Sequence, residues 1–266
     1  MSPWFLPYDL QDGYVHNWLV AGPQVISKIQ PDEGAPGAQP VLAASRPEGP
    51  DIAAAPMERA TFTLAGPEGS TAKHTWGYRR VEEDHLVEMA ASFPADCTVW
   101  AWAYTELVSP GARRCRLVLH SFGPAQLWLN GQAVLRQDGF SARLPHAVEC
   151  DVDLAEGANA LLVRMEQVTA DASPLAIALR VLREDGGLHD GAVRVRLPTL
   201  NKKVKKHQTM DRWTQRAYFE RDLYAASEKL QVKWIGPIRN PHQLMVRVEK
   251  PTGYVIGHVE RPLEPK

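Results

Sequence analysis

Residues 98–108 read TVWAWAYTELV and alternate large aromatic side chains with small ones. Trp100, Trp102 and Tyr104 would share one face of an extended chain, because successive residues of a strand point to opposite sides. The small residues between them would share the other face. This period of two predicts a β-strand and argues against a helix.

A second decisive stretch is AQLWLNGQAVLR at residues 125–136. It places Asn130-Gly131 between two apolar runs, and both residues tolerate the positive φ that a type I′ turn requires, so the pattern predicts a β-hairpin. Further short apolar runs bounded by turn residues predict strands at 114–120, 148–154, 160–167 and 175–182. Short strands with turns between them indicate an antiparallel all-β fold, a sandwich or jelly roll.

The flanking segments differ in character. Residues 14–23, YVHNWLVAGP, predict a strand that ends at a Gly-Pro turn. Residues 30–70 are rich in Pro, Gly and Ala and have no sustained period, which predicts a surface insertion, since proline cannot donate to a sheet ladder. Residues 199–221 contain no Gly or Pro and predict a helix. Three more strands are predicted at 229–235, 243–249 and 254–260.

These segments suggest three parts. Residues 1–185 form a jelly-roll β-sandwich with an insertion near 30–70, residues 186–222 form a linker and helix, and residues 223–266 form a partial β domain. Three strands are too few for an independent sandwich core. We therefore expect the chain to be the N-terminal part of a longer protein, with docking of these strands on the first domain as the alternative.

Composition excludes several classes of protein. The 266 residues carry a net charge of -1 from 30 Lys+Arg and 31 Asp+Glu, so no global positive field favours a nucleic-acid partner. No run approaches the about 18 apolar residues that a membrane span needs. The N-terminal residues do not resemble a signal peptide, and a cytoplasmic location is expected. Cys97, Cys115 and Cys150 are widely spaced and predict free thiols in a reducing compartment.

The candidate ligand-binding residues follow from what a sugar requires. A β-sandwich binds a sugar through an aromatic platform for the apolar ring face and through amide, carboxylate or guanidinium groups for the hydroxyls. A loop-like stretch supplies such groups at Trp76, Tyr78 and Arg80. The loop after the Asn-Gly hairpin supplies them at Asp138, Phe140 and Arg143, with His146 close by. Packing or domain docking is the competing interpretation for these aromatics. Trp100, Trp102 and Trp128 lie mid-strand, where core packing is expected, and Asn130 is explained by its turn.

Other polar clusters have structural alternatives. Glu82, Glu83, Asp84, His85 and Glu88 could hold a structural calcium ion, but no EF-hand spacing is present and a solvated acidic face is the preferred interpretation. The basic run NKKVKKH at 201–207 predicts a solvated helix face. No nucleophile elbow, metalloprotease motif or phosphate loop is present, so no catalytic residue is assigned.

Four segments resemble the galactose-binding-domain-like jelly roll that serves as an accessory module in many large glycoside hydrolases. They are NWLVAGP (17–23), WAYTELVSP (102–110), LWLNGQAV (127–134) and VDLAEGANALLVRME (152–166). The resemblance implies a non-catalytic, carbohydrate-binding-type module whose partners are a glycan or the adjacent domains of a longer chain. The alternatives are a structural or docking module without ligand, and a glycoside hydrolase whose active site the sequence does not display. Residues 220–260 resemble the start of an immunoglobulin-like β domain.

Overall fold

The computed structural model describes residues 4–28, 50, 55–65, 71–81, 84–89, 97–141, 144–168, 174–199, 217–219, 229, 232–234, 242–249 and 255–264. Regular secondary structure within these residues is β throughout, which confirms the predicted all-β class. The chain divides into two compact units, Met1–Asn201 and Lys202–Lys266.

The first unit contains a large sheet, sheet A, of eight strands: β1 (Trp4–Asp9), β2 (Asn17–Lys28), β5 (Gly77–Arg80), β7 (Cys97–Ser109), β9 (Ala125–Leu129), β10 (Gln132–Gln137), β12 (Gly157–Val168) and β14 (Arg194–Thr199). Four strands form sheet B: β6 (Val87–Glu88), β8 (Arg113–Ser121), β11 (His146–Leu154) and β13 (Ala176–Arg183). A separate hairpin consists of β3 (Thr61–Ala65) and β4 (Thr71–Thr75).

Strand β7 organises sheet A. It pairs along one edge with the whole of β12, from Thr98 opposite Val168 to Ser109 opposite Gly157. Its other edge is shared by β2 and by β14. The remaining strands extend the sheet outward, in the order β1-β14-β7-β12-β9-β10, with β5 paired to β2. The order within sheet B is β11-β8-β13-β6, and all pairs in both sheets are antiparallel.

One face of each sheet is almost wholly apolar. On sheet A the buried residues of this face include Leu107, Leu127, Leu161 and Val163, and on sheet B they include Leu117, Leu119, Leu179 and Val181. Two sheets with one apolar face each bury those faces against one another, and this is the sandwich core. Each such side chain contributes about 1.5–3 kcal/mol when fully buried.

The aromatic residues of β7 lie on the opposite, outer face of sheet A. Trp100, Trp102 and Tyr104 are buried, as expected for mid-strand aromatics, but the register places them on the side away from Leu161 and Val163.

The β3–β4 hairpin and Trp76, the residue after it, cover part of the aromatic side chains of β7. The Phe62 ring meets the Trp102 ring edge-on at 6.2 Å between centroids, and Trp76 meets Tyr104 at 6.3 Å. The end of the predicted insertion therefore folds back on the sheet. Residues 30–49 lie outside the described residues.

Side-chain hydrogen bonds join the Asn130-Gly131 turn to the start of strand β12. Asn130 and Gly131 have φ of 51° and 81°, which confirms the predicted Asn-Gly hairpin turn. The Asn130 side-chain amide donates to Asn159 Oδ1 at 3.0 Å, while Asn130 Oδ1 accepts from the backbone of Ala160 at 2.8 Å. Asn159 is completely buried and also bonds the backbone N–H and C=O of Ala155, at 2.9 Å each.

Three sequence-based boundaries need correction. Strand β2 does not end at Gly22-Pro23 but continues to Lys28 through a cis Gly22–Pro23 bond and an irregularity in its pairing with β7. Strand β14 lies within the segment predicted as linker, 186–222, because its buried Val195 and Leu197 pack in the first unit, which therefore extends beyond residue 185. The sequence also predicts a strand at 85–93 (HLVEMAASF), and among its described residues, 85–89, the structure has a strand only at Val87–Glu88.

The helix predicted at 199–221 falls mostly on residues outside those described. Its described residues are in strands, Thr199 at the end of β14 and Ala217–Phe219 in β15. The wrong assignment of Ala217–Phe219 followed from the absence of Gly and Pro, which is a weak signal beside strand pairing.

The second unit contains two strand pairs. Strand β15 (Ala217–Phe219) pairs with β16 (Val232–Trp234), and β17 (His242–Glu249) pairs with β18 (Val255–Leu263). The β17–β18 pair agrees with the strands predicted at 243–249 and 254–260. The sequence PTG at 251–253 also predicts a turn that would make these strands a hairpin, but it lies outside the described residues. The immunoglobulin-like assignment of this unit stays a prediction.

None of the three cysteines is in a disulfide, which agrees with the sequence prediction, and Cys97 and Cys115 are buried while Cys150 is half-buried. Burial raises the pKa of the Cys115 thiol to about 11. Within the described ranges there is no helix of the length and apolarity that a bilayer span requires.

We expect Asn159→Ala to destabilise the first unit by about 1–3 kcal/mol, because it removes the buried side chain that bonds the backbone N–H and C=O of Ala155 and accepts from the Asn130 amide. The measurement is the urea dependence of tryptophan fluorescence. Gln132→Ala, an exposed change in the neighbouring hairpin, is the control and should cost under about 0.5 kcal/mol. Equal stability of both variants would contradict this role of Asn159.

Candidate functional site

The outer face of sheet A becomes more exposed at its β9–β10 edge. Antiparallel partners share a face, so the pairing of Trp128 with Leu162 and of Gln126 with Arg164 places these four side chains together. Arg136 of β10 lies opposite Gln126 on the same face. We call the surface formed by Gln126, Trp128, Arg136, Asp138 and Arg164 the Trp128 surface.

Trp128 is the aromatic platform of this surface. It is half-buried, whereas its neighbours Leu127 and Leu129 are buried in the apolar face. The core position expected for Trp128 is thus wrong, because the alternation of QLWLN turns the indole outward. The Arg164 guanidinium lies 5.5 Å from the centre of the Trp128 ring.

Arg164 is the buried residue that contacts both Trp128 and Gln126 of this surface. It is only 4% exposed, and its guanidinium lies 4.1 Å from the Trp100 ring centre. Its Nη2 donates to Glu166 Oε1 at 2.7 Å and to Gln126 Oε1 at 3.2 Å. A guanidinium shared between two indoles and a carboxylate has little rotamer freedom, so the orientation of Gln126 and Trp128 is fixed before any ligand arrives.

The edge of the surface carries an exposed ion pair. Arg136 Nε donates to Asp138 Oδ1 at 2.5 Å, and both side chains are about half exposed, at 44% and 56%. These groups can exchange hydrogen bonds with a ligand at small cost, since exposed ion pairs contribute little. The surface therefore combines an indole face with an amide, a guanidinium and a carboxylate, the groups that bind the ring and hydroxyls of a sugar.

The buried carboxylates of the outer face are structural. Glu166 pairs with Arg164, and Glu106 accepts from both Arg196 and the Tyr104 hydroxyl, the latter at 3.0 Å. Burial raises the pKa of Tyr104, with Glu106 adding to the effect, so the phenol stays a donor. These contacts give each acid an arginine partner.

Three of the predicted site residues lie near the β2–β5 edge of sheet A. Trp76 is 3% exposed and packs on Phe62 and Tyr104, so its ring face is not available to solvent. The Tyr78 hydroxyl donates to Asn17 Oδ1 at 2.8 Å. Arg80 lies opposite Asn17, and its positive charge contributes to lowering the pKa of His16. Their ligand-binding role stays a prediction.

The other predicted site residues follow β10 and open β11. Asp138 belongs to the Trp128 surface through Arg136, and His146 Nε2 lies 3.4 Å from the Phe140 carbonyl oxygen. Arg143 lies outside the described residues. The structure thus brings Phe140 and His146 together and joins Asp138 to Arg136. Sequence reasoning missed Gln126, Arg136 and Arg164, although their alternation with apolar residues in β9, β10 and β12 was a usable signal.

The acidic cluster predicted for calcium is only partly described, since Glu82 and Glu83 lie outside the described residues. Asp84 Oδ1 accepts from the backbone N–H of Leu86 at 3.1 Å. Across the part of the chain that the structure describes, no three His, Cys, Asp or Glu side chains converge in a way that could hold a metal ion.

Histidines cluster where the chain enters β2. His16 Nε2 and His85 Nδ1 share a hydrogen bond of 2.7 Å, and the Tyr14 ring stacks on His85 at 4.0 Å. His16 is 3% exposed, and burial, with Arg80 and His85 adding to the effect, lowers its pKa to about 4. The buried imidazole is therefore neutral near pH 7.

We expect Arg164→Met to cost about 3–5 kcal/mol of unfolding free energy, because the buried Glu166 carboxylate loses its cation. Adding Glu166→Gln to that variant should restore most of the loss, since the remaining side chain is uncharged. Arg136→Met, which breaks only the exposed pair, is the control and should cost under about 1 kcal/mol. Chemical denaturation of the four proteins measures this, and absence of recovery in the double variant would refute the charge argument.

His16 should make stability depend on pH. Its folded-state pKa, about 4, lies below the ordinary 6.5, so the unfolded state binds more protons between these values. Stability is therefore complete above about pH 6.5 and falls by on the order of 3 kcal/mol as the pH approaches 4. His16→Gln should remove this part of the slope in denaturation series at pH 4.5, 5.5 and 7, whereas His146→Gln, at an exposed histidine, should retain it. An unchanged slope in His16→Gln would disprove the assignment.

No protein-family model and no curated protein matches the sequence. Solved structures with similar regions include glycoside hydrolases and a carbohydrate-binding module. A β-glucosidase from Kluyveromyces marxianus is 11% identical over 46% of this chain and 16% of its own, with a TM-score of 0.35.

A family 35 carbohydrate binding module from Clostridium thermocellum is 16% identical over 37% of this chain and 88% of its own length, with a TM-score of 0.27. A glycosyl hydrolase family 2 member from Bacteroides cellulosilyticus is 12% identical over 97% of this chain and 29% of its own length, with a TM-score of 0.28. Similarity at this level carries no argument about activity, and the chain spans a small part of both hydrolases.

Proposed function

We propose that the first unit is a non-catalytic carbohydrate-binding module of the galactose-binding-like jelly-roll type, and that the Trp128 surface contacts the glycan. The observation that supports it is the half-exposed indole of Trp128, fixed by Arg164 and flanked by the amide of Gln126 and the Arg136–Asp138 pair. An indole face buries the apolar C–H face of a pyranose, while planar polar groups at its rim bind hydroxyls.

The electrostatics favour a neutral sugar at this surface. Arg136 lies against Asp138 and Arg164 against Glu166, so each cation on the surface has an anion beside it. Balanced charge leaves directional hydrogen bonds, rather than net charge, as the source of selectivity. Such a module supports a glycan-active neighbour in a longer chain by holding the substrate nearby, which raises its effective concentration.

The alternative is a module that docks on another domain and binds no sugar. The Trp128 surface would then be covered by protein, and an indole beside an arginine is typical of such contacts as well. Sugar titration separates the two, because only a carbohydrate-binding module gives saturable heat with small oligosaccharides.

The test is calorimetric titration of the full chain with a panel of neutral oligosaccharides, including gluco-, xylo-, manno- and galacto-oligosaccharides. We expect at least one to bind, and Trp128→Ala to weaken it by tenfold or more, since the stacked ring supplies about 1–2 kcal/mol. Gln126→Ala should weaken it several-fold through a lost hydrogen bond.

Phe5→Ala is the matched control. Phe5 is an exposed aromatic, 37% exposed, under the Arg196 guanidinium at 4.3 Å, and lies in edge strand β1 of the same sheet. Its removal should leave affinity unchanged. Binding by no member of the panel, or equal loss in Phe5→Ala and Trp128→Ala, would overturn the proposal. Circular dichroism and thermal unfolding show that each variant is folded.

A further inference from the structure

An open pocket of about 550 Å³ lies at one end of sheet B. Its lining comes from the start of β8, the end of β13 and the segment that leads to β14. The residues are Arg113, Arg114, Arg183, Glu184, Asp185 and His189. Among these lining residues, three are arginines and two are carboxylates.

Two of the arginines are already engaged. Arg183 binds Asp185 through both guanidinium edges, with Nε donating to Oδ1 at 3.0 Å, and the backbone N–H of Gly187 donates to the same carboxylate at 2.9 Å. These hydrogen bonds lower the pKa of Asp185 to about 2, so this anion is permanent at neutral pH. Arg114 lies within 3.7–3.9 Å of Glu184, Asp151 and Asp153, which neutralise it.

Arg113 differs from both. It is half-buried, its Nε is buried without a hydrogen-bond partner, and it forms no ion pair with any residue the structure describes. His189 stands beside it at 7% exposure, and its Nε2 is also buried without a partner. Buried polar atoms normally have partners, because an unmet group costs about 1–3 kcal/mol, so two such groups in one pocket mark a place for a ligand atom.

We propose that this pocket binds an oxyanion, a carboxylate, sulfate or phosphate group, between Arg113 and His189. A guanidinium presents N–H donors in a planar fork that matches two oxygens of such a group. The Arg183–Asp185 pair keeps a second guanidinium rigid at the wall. The site is independent of the proposed glycan surface, since it uses residues of sheet B and its connections only.

The pocket also links anion binding to protonation. Burial, with Arg113 and Arg183 adding to the effect, lowers the pKa of His189, while a bond to the Leu182 backbone and the charge of Asp185 act in the opposite direction. The free protein therefore holds His189 neutral near pH 7. A bound anion offsets the two arginines, so the pKa of His189 rises on binding, and binding in turn strengthens as the pH falls.

The probe is inorganic sulfate, which stays doubly charged over this range of pH, titrated into the full chain at constant ionic strength maintained with sodium chloride. We expect saturable binding that Arg113→Gln weakens by tenfold or more, about the loss of one charge-assisted contact. Arg114→Gln, at the neighbouring arginine that already faces three carboxylates, is the matched control and should change affinity less than about threefold. In NMR titrations, sulfate should raise the pKa of His189 in the wild type and in Arg114→Gln, but not in Arg113→Gln.

A comparison of glucose 6-sulfate with inorganic sulfate identifies the source of the anion, and glucose, which carries no anion, is the negative control. Tighter binding of glucose 6-sulfate than of sulfate identifies a sugar-borne group, and equal binding identifies a free ion; either supports the pocket. No saturation by sulfate, or equal affinity in Arg113→Gln and wild type, would overturn it. Trp128→Ala should bind sulfate with the affinity of the wild type. Loss of sulfate binding and loss of glycan binding therefore test the two proposals separately.

Discussion

The ladder between β7 and β12 is the interaction on which the rest of the first unit depends. From Thr98 opposite Val168 to Ser109 opposite Gly157, it sets the register of both strands, and β2 and β14 then attach to the free edge of β7. A shift by one residue would turn Leu161 and Val163 outward and bring Arg164 and Glu166 into the core. The cost of burying those charges against sheet B excludes the shifted register.

The same register produces an outer face with two environments. Toward β2 and β5, the β3–β4 hairpin contributes to covering the aromatic residues, and ring packing among Phe62, Trp76 and Trp102 dominates. Toward β9 and β10 the face holds Arg164 and the half-exposed Trp128. The predicted Trp76 is thus buried in the first environment, while a tryptophan expected in the core forms the second. Whether a ligand can reach an aromatic ring depends on which residues cover that ring, and the spacing of residues along the sequence does not show this.

Periodicity predicted the strands well and their surroundings poorly. The alternation in residues 98–108 and the Asn130-Gly131 signal led to the right strands, because both are local consequences of backbone geometry. The helix predicted at 199–221 failed at Ala217–Phe219, where composition alone had been used. Among the predicted site residues, Asp138 lies on the surface we favour, whereas Gln126, Arg136 and Arg164 were missed because they join it only through pairing of separate strands.

The sequence by itself determined the all-β class, the positions of the main strands and the Asn130-Gly131 turn. These follow from side-chain alternation and from backbone conformations that Asn and Gly tolerate, so neighbours along the chain suffice to specify them. Only the tertiary structure decided that Trp128 faces outward over Arg164, that Trp76 is covered, and that Arg113 lies beside His189. Those outcomes depend on which strands pair and in what register, since burial and charge pairing arise between residues far apart in the chain.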